Sequence, residues 1–163
     1  MRTDKQRRFE GVYAEYKDIV LKLALMYLKD YQLAEDAAQE VFFKVYKKLG
    51  TLRDDDKLKP WISKIVVNTC KNQLAHKSRR EIPSEDVYPD SVKTDNFDDQ
   101  ITIADAIQNL ELELREVVLL YYYQELSRAQ ISSILKIPET TVDYRLRTAR
   151  KKLKNFLKED YNE

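Results

Sequence analysis

The sequence predicts an all-α fold in two small helical domains joined by an acidic, flexible linker. Three observations carry that expectation. Only two Gly and four Pro occur in 163 residues, too little turn-forming material for a protein built of hairpins. Apolar residues (43%) recur at three- and four-residue spacing, and charged residues (35%) fill the exposed positions between them. The formal net charge of +1 hides a division: residues 1–80 hold 18 Lys/Arg against 11 Asp/Glu, residues 81–100 hold 1 against 7, and residues 101–163 hold 10 against 10. The middle stretch, "EIPSEDVYPDSVKTDNFDDQ", has two prolines and few apolar residues, so burial cannot offset its chain entropy. Domains are therefore expected at 1–80 and 101–163, with a linker at 81–100.

The first expected helix covers 5–29, where Phe9, Val12, Tyr13, Tyr16, Ile19, Val20, Leu23, Ala24 and Tyr27 form one broad apolar stripe. The second is "QLAEDAAQEVFFKVYKKLG". Its inward stripe is Leu33 or Ala34, Ala37, Ala38, Val41, Phe42, Val45 and Leu49, with Gly50 where a helix C-terminus favours glycine. A second face remains. Asp36, Gln39, Glu40, Phe43 and Lys47 follow i, i+3, i+4, i+7 and i+11, so they are neighbours on the helix surface. Such a face is either solvated with one exposed Phe, or a docking surface in which polar groups ring an aromatic. Its acids point away from nucleic acid and toward a protein.

The third helix is expected to begin near Lys57–Pro60, since Pro is tolerated in a first turn. The three acids of "TLRDDD" before it are candidates to cap its start. Trp61, Ile62, Ile65, Val66 and Thr69 are assigned to the core, while Lys64, Asn68, Lys71, Asn72, Ala75 and Arg79 share another side. From Lys71 to Arg80 there are four basic residues and no acid. Basic groups attract phosphates and Asn amides match base edges, although amides on exposed helices are often merely solvated.

In the back half, 101–112 and 114–124 read as two helices. Ser127 and Gln130 have the spacing of a capping box opening a short helix, whose apolar side is Ala129, Ile131, Ile134 and Leu135. "KIP" is a turn, and Pro138 starts the next helix. There Val142, Leu146, Ala149, Leu153 and Phe156 define the buried side, leaving Thr140, Thr141, Asp143, Tyr144, Arg147, Thr148 and Lys151 outside. From Tyr144 to Lys154 there are six Lys/Arg and no acid. A short helix, a tight turn and a longer helix with a polar, basic outer side make a helix-turn-helix, whose second helix enters a DNA major groove.

Several classes are excluded. The one Cys, Cys70, has no partner for an internal disulfide, and His76 is the one His, so neither a nucleophilic triad nor a zinc site can be assembled. No cofactor is implied. The basic start leads into no apolar signal core, and "VVLLYYY" is too short to span a bilayer. A cytoplasmic protein with no membrane insertion of its own is expected.

At this point both halves resemble the two domains of an extracytoplasmic-function sigma factor of bacterial RNA polymerase. "AEDAAQEVFFKVYKKL" resembles the segment that docks on a coiled coil of the polymerase beta-prime subunit, "KPWISKIVVNTCKNQLAHKSRR" the promoter-melting helix, and "REVVLLYYYQELSRAQISSILKIPETTVDYRLRTARKKL" the helix-turn-helix for the −35 element. The resemblance implies that Asp36, Gln39, Glu40 and Phe43 grip core polymerase, whose beta subunit is a further contact. It implies that Asn68 and Asn72 recognise an extruded −10 base captured by the loop 51–59, with Lys64, Lys71, Lys77, Arg79 and Arg80 on the backbone. Thr140, Thr141, Tyr144, Arg145, Arg147, Thr148 and Lys151 would serve the −35 element. An anti-sigma protein is a further partner the family implies. The chain departs from the family's pattern at Asp143, often basic, at Tyr144, often Ser, at Tyr46, where Trp or another bulky residue is common, and in the acidic "RDDDKLK". The linker is expected to follow basic channels in polymerase, and in the free protein to fold back on residues 71–80 and weaken DNA binding. The competing expectation is an autonomous helix-turn-helix regulator with an N-terminal sensing or dimerising domain. That alternative leaves the Asp36–Phe43 face and the Asn68–Asn72 pair without a role.

Overall fold

The computed structural model describes the backbone of residues 1–80 and 102–161 and the side chains of 1–79 and 102–158. The expectations placed on 81–100 lie outside the described residues. The chain divides into two compact units, Met1–Val87 and Tyr88–Glu163. Every element among the described residues is helical.

In the first unit, α1 (Asp4–Leu28) opens on a capping box: the Gln6 amide donates to Thr3 Oγ1 at 3.2 Å and the Thr3 amide to Gln6 Oε1 at 2.9 Å. It closes where Lys29 turns left-handed, φ 58°, and donates to Leu25 O at 2.8 Å. One residue later Asp30 caps α2 (Tyr31–Lys48), its carboxylate accepting from the Leu33 amide at 3.1 Å. So short a connection folds the two helices into a hairpin. Ala34 and Ala37 are fully buried, and their small side chains let α1 approach α2 closely. α3 (Leu58–Arg80) packs across both helices, burying Ile62, Ser63, Val66, Val67, Thr69 and Cys70.

Several expectations need correction here. Gly50 has no left-handed φ; α2 passes instead into a 3₁₀ turn, Leu49–Thr51, with Leu49 buried as its anchor. Tyr13 fits the core stripe of α1 but is 44% exposed, because it lines an open groove beside α2, where its ring meets Phe42 edge-on at 4.9 Å. Ala38 is only half-buried. The acids of the loop do not cap α3 directly. Asp54 caps a second 3₁₀ turn, Asp55–Lys57, accepting from the Asp56 amide at 3.0 Å, and that turn feeds into α3.

The second unit is built on α4 (Ile103–Gln108), α5 (Leu112–Val118), α6 (Arg128–Leu135) and α7 (Glu139–Tyr161). The expected helix at 101–112 ends at Gln108, because Asn109 and Leu110 form a turn and Glu111 begins the next helix. The buried Arg115 supports that break, donating from Nη1 to Leu110 O at 3.2 Å. The expected helix at 114–124 starts earlier and finishes as a π-helical turn, Leu119–Tyr123. Glu125 then takes a positive φ of 54° and reverses the chain into α6.

The Ser127–Gln130 capping box forms as its spacing predicts, with bonds of 3.1 and 2.9 Å. Ile131, Ile134 and Leu135 are buried, but Ala129 is exposed: it lies on the solvent side of the first turn. Lys136, φ 57°, ends α6, and the Ser132 hydroxyl donates to Ile137 O to close the turn. Pro138 is the residue before α7, and its carbonyl accepts from the Thr141 and Val142 amides at 3.0 and 3.1 Å. Val142, Leu146 and Ala149 are fully buried against α5 and α6, while Leu153 and Phe156 are half-buried.

Candidate functional site

Three surfaces collect the residues singled out by the sequence. The first is the outer face of α2. Asp36, Gln39 and Phe43 are exposed there and Glu40 is half-buried. Phe43 exposes 59% of its surface while Ala34, Ala37, Val41, Phe42 and Val45 fill the core side of α2, so it takes no part in the core. Local contacts hold the face in place. Gln32 Nε2 donates to Asp36 Oδ1 at 3.2 Å, and the Lys47 ammonium sits over the Phe43 ring at 4.4 Å. Lys44 pairs with Glu40 at 3.3 Å and donates to Thr69 at 3.1 Å, tying this face to α3. Beside it a groove between α1 and α2 has Tyr13, Leu21, Ala38, Gln39 and Phe42 in its lining together with the charged Lys17, Asp18 and Glu35, so Gln39 belongs to both.

The second surface is the solvent side of α3 with the loop before it. Lys64, Asn68, Lys71, Asn72 and Arg79 are exposed, and Lys77 is half-buried. The Arg80 side chain lies outside the described residues. The first four follow i, i+4, i+7 and i+8 on a continuous helix, which sets them on one side, opposite the buried Ile62, Val66 and Thr69. Burial pushes the Cys70 thiol up from its ordinary 9.0 to about 12, with Glu40 adding to the shift. The thiol is thus held protonated, as an inert packing group.

The loop has an anchor that sequence reasoning missed. Arg8, on α1, donates from Nη1 to Leu49 O and from Nη2 to Leu52 O, each at 3.0 Å, and also reaches Asp55 Oδ1 at 3.0 Å. One guanidinium thus fixes both 3₁₀ turns leading into α3. Nothing in the local pattern around Arg8 signals this, because its partners lie 41 to 47 residues away.

The third surface is the outer side of α7. Thr140, Tyr144, Arg147 and Lys151 are exposed in a line, with Tyr144 at 63%, and Thr141 and Thr148 are half-buried beside them. Thr148 Oγ1 donates back to Tyr144 O at 2.9 Å. Arg145 departs from this line. Its side chain keeps 20% exposure and turns toward Glu113 of α5 at 3.6 Å. Other basic residues are tied to the body of the unit too: Arg150 Nε donates to the Tyr122 hydroxyl at 2.7 Å, and Lys152 meets Glu111 at 3.2 Å. Asp143 carries two cations, Arg128 Nε at 3.2 Å on Oδ1 and Arg147 Nε at 3.2 Å on Oδ2. Arg128 stacks in turn over Tyr121 at 5.3 Å. No local pattern marks Arg128 as part of this network, since it lies 15 residues from Asp143.

Among the described residues no group of three or more His, Cys, Asp and Glu is placed to hold a metal, and no helix is long and apolar enough to cross a membrane.

Comparison with known proteins follows the same division. Residues 12–80 match the Sigma-70 region 2 family, and residues 100–153 match the Sigma-70, region 4 family. The chain is 31% identical over 173 residues to the RNA polymerase sigma-H factor of Pseudomonas aeruginosa, covering 96% of this chain and 89% of that one. It is 28% identical to the ECF RNA polymerase sigma-E factor of Escherichia coli K12, covering 92% and 86%. Among solved structures it resembles the sigma factor RpoE in complex with the anti-sigma factor NepR from Bartonella quintana, with a TM-score of 0.77 at 21% identity over 93% of this chain and 98% of that one. It also resembles CnrH in complex with the cytosolic domain of CnrY, with a TM-score of 0.68 at 20% identity over 95% and 90%. The fold agrees with both, and on the strength of the sequence relationship the chain belongs to the extracytoplasmic-function sigma factors of RNA polymerase.

Proposed function

We propose that this sigma factor uses its three surfaces for three tasks in promoter-specific initiation. The outer face of α2, with Asp36, Gln39, Glu40 and Phe43, docks on core polymerase. The observation that carries this is the exposed Phe43 among polar groups on a helix whose core side is already filled. An aromatic anchor ringed by polar side chains suits a protein interface, and acids suit a basic protein better than DNA.

The solvent side of α3 and the Arg8-anchored loop serve the −10 element. Extruding a base costs a few kcal/mol of stacking, which polar contacts from Asn68 and Asn72 and a held loop offset. Lys64, Lys71, Lys77, Arg79 and Arg80 lower the cost of bringing phosphates close. The line Thr140–Tyr144–Arg147–Lys151 on α7, flanked by Thr141 and Thr148, reads the −35 element in the major groove. Arg145 acts from the flank, releasing Glu113 for a phosphate. The protein works in the cytoplasm, where polymerase is, and catalyses no covalent step itself. The two similar structures are each bound to a protein partner; an anti-sigma protein covering the α2 and α7 surfaces is the corresponding partner here.

Run-off transcription with purified bacterial core polymerase, on a library of upstream sequences, tests this reading. Transcripts that require the protein and share two upstream elements are expected. No transcripts, alongside tight sequence-specific binding by the protein alone as a dimer, would make it an autonomous regulator instead.

A further inference from the structure

The geometry points to Asp143 as a positioning residue for base recognition: we propose that it aims Arg147 at a guanine of the −35 element. This rests on the reading of α7 as the DNA-facing helix. Arg147 is the guanidinium on the outer line of α7, and its carboxylate partner lies one turn earlier on the same face. The ion pair approaches through Nε, at 3.2 Å from Oδ2. A guanidinium approached through Nε can still turn its far end, with the paired Nη donors that match O6 and N7 of guanine, toward a base.

Asp143 is itself held. Its other oxygen takes Arg128 from α6, and Arg128 is stacked on Tyr121 in the π-helical turn. A chain of contacts, Tyr121–Arg128–Asp143–Arg147, therefore runs from the body of the unit to the base-reading edge. An unsupported arginine must surrender side-chain freedom when it meets a base. One already held in place loses less, so more of the contact energy appears as discrimination. A carboxylate facing DNA also repels phosphates, which lowers sequence-independent affinity and sharpens the same preference.

The test is selection of −35 sequences from a randomised library by holoenzyme, assembled from core polymerase and the full chain. Wild type is compared with Asp143→Ala, Asp143→Asn, Arg128→Ala and Arg147→Lys. Wild type is expected to prefer guanine at one position by about tenfold or more, the range of a bidentate contact. Asp143→Ala and Arg147→Lys reduce that preference by about fivefold and leave the other positions as they were, while Arg128→Ala gives a smaller loss at the same position. Asp143→Asn, which keeps one acceptor without the charge, falls between. A fold defect would weaken all positions together, so loss at one position is the diagnostic.

An unchanged profile in Asp143→Ala overturns the proposal. So does a uniform gain in binding at every sequence with the guanine preference intact, which would make Asp143 a repulsive charge and nothing more. Loss of a cytosine preference that Arg147→Lys does not share would assign Asp143 a base contact of its own, and also overturns it. If Arg147→Lys and a Thr140→Ala/Tyr144→Ala pair all leave the selected sequences untouched, then the reading of α7 as the DNA-facing helix falls, and this proposal with it.

Discussion

Replacing Arg8 by Ala removes the clamp on the loop before α3, and the size of the effect follows from its three bonds. The contact to Asp55 adds little, because that carboxylate side chain is 82% exposed and water competes for it. The bonds to Leu49 O and Leu52 O are partly buried and charge-assisted, and Leu49 closes the C-terminal end of α2, where a cation is favoured. Each is worth about 1 kcal/mol once the partial exposure of Arg8 is allowed for, about 2 kcal/mol together. For a unit of this size that lowers the melting midpoint by roughly 10 °C. Trp61, the one Trp of the chain, lies in α3 and reports this unit separately from the other. Hydrogen exchange adds a local readout. The Leu52 and Lys57 amides, bonded to Leu49 O and Asp54 O, are expected to exchange faster than the amides of α1. Promoter opening by the holoenzyme, followed by permanganate reactivity near −10, falls with them. A midpoint shift under about 2 °C with unchanged exchange at both amides would refute the clamp.

Burial of Cys70 raises its folded pKa to about 12 from 9.0, so the stability it contributes is complete below about pH 9 and is lost as pH rises toward 12. Between pH 8.5 and 10 the wild type is expected to lose about 1 kcal/mol more than Cys70→Ala, by urea titration of Trp61 fluorescence; equal losses would contradict a buried neutral thiol. Ser127→Ala removes one arm of the capping box at α6 and costs about 1 kcal/mol in the second unit, read by denaturant unfolding. Phe43→Ala leaves stability within about 0.5 kcal/mol, because the ring is exposed, yet lowers affinity for core polymerase by about tenfold or more in a competition assay. A large loss of stability with unchanged affinity would return Phe43 to the core.

Much of this arrangement was legible in the sequence because it depends on short-range patterns. The α7 stripe of Val142, Leu146 and Ala149 is spaced for one helix side, and all three are fully buried. The Ser127–Gln130 box is a contact between residues three apart. The face of Asp36, Gln39, Glu40 and Phe43 follows from helical periodicity once the core side is filled. What escaped depends on distance in the chain. Arg8 reaches across the fold to Leu49, Leu52 and Asp55, and Arg128 reaches Asp143 from another helix. Tyr13 fits the apolar spacing of α1, but spacing does not say where one helix stops being covered by the next. The π-helical turn is indistinguishable from ordinary helix in the sequence, because "LLYYY" has helical periodicity and no breaker. The early end of α4 shows the reverse case, since "QNLEL" contains no Gly or Pro and its turn is set by Leu110 and the buried Arg115.

The most direct measurement is run-off transcription by core polymerase with the triple variant Asp36→Arg/Gln39→Ala/Glu40→Arg beside the wild type, on a promoter the wild type selects. All three side chains lie on the outer face of α2 and none is in the core, so circular dichroism is expected to stay native. Promoter-specific transcript from the wild type and none from the natively folded variant is the predicted result. Equal transcript from both would mean that the polymerase is held elsewhere, and the outer face of α2 would lose its assigned role.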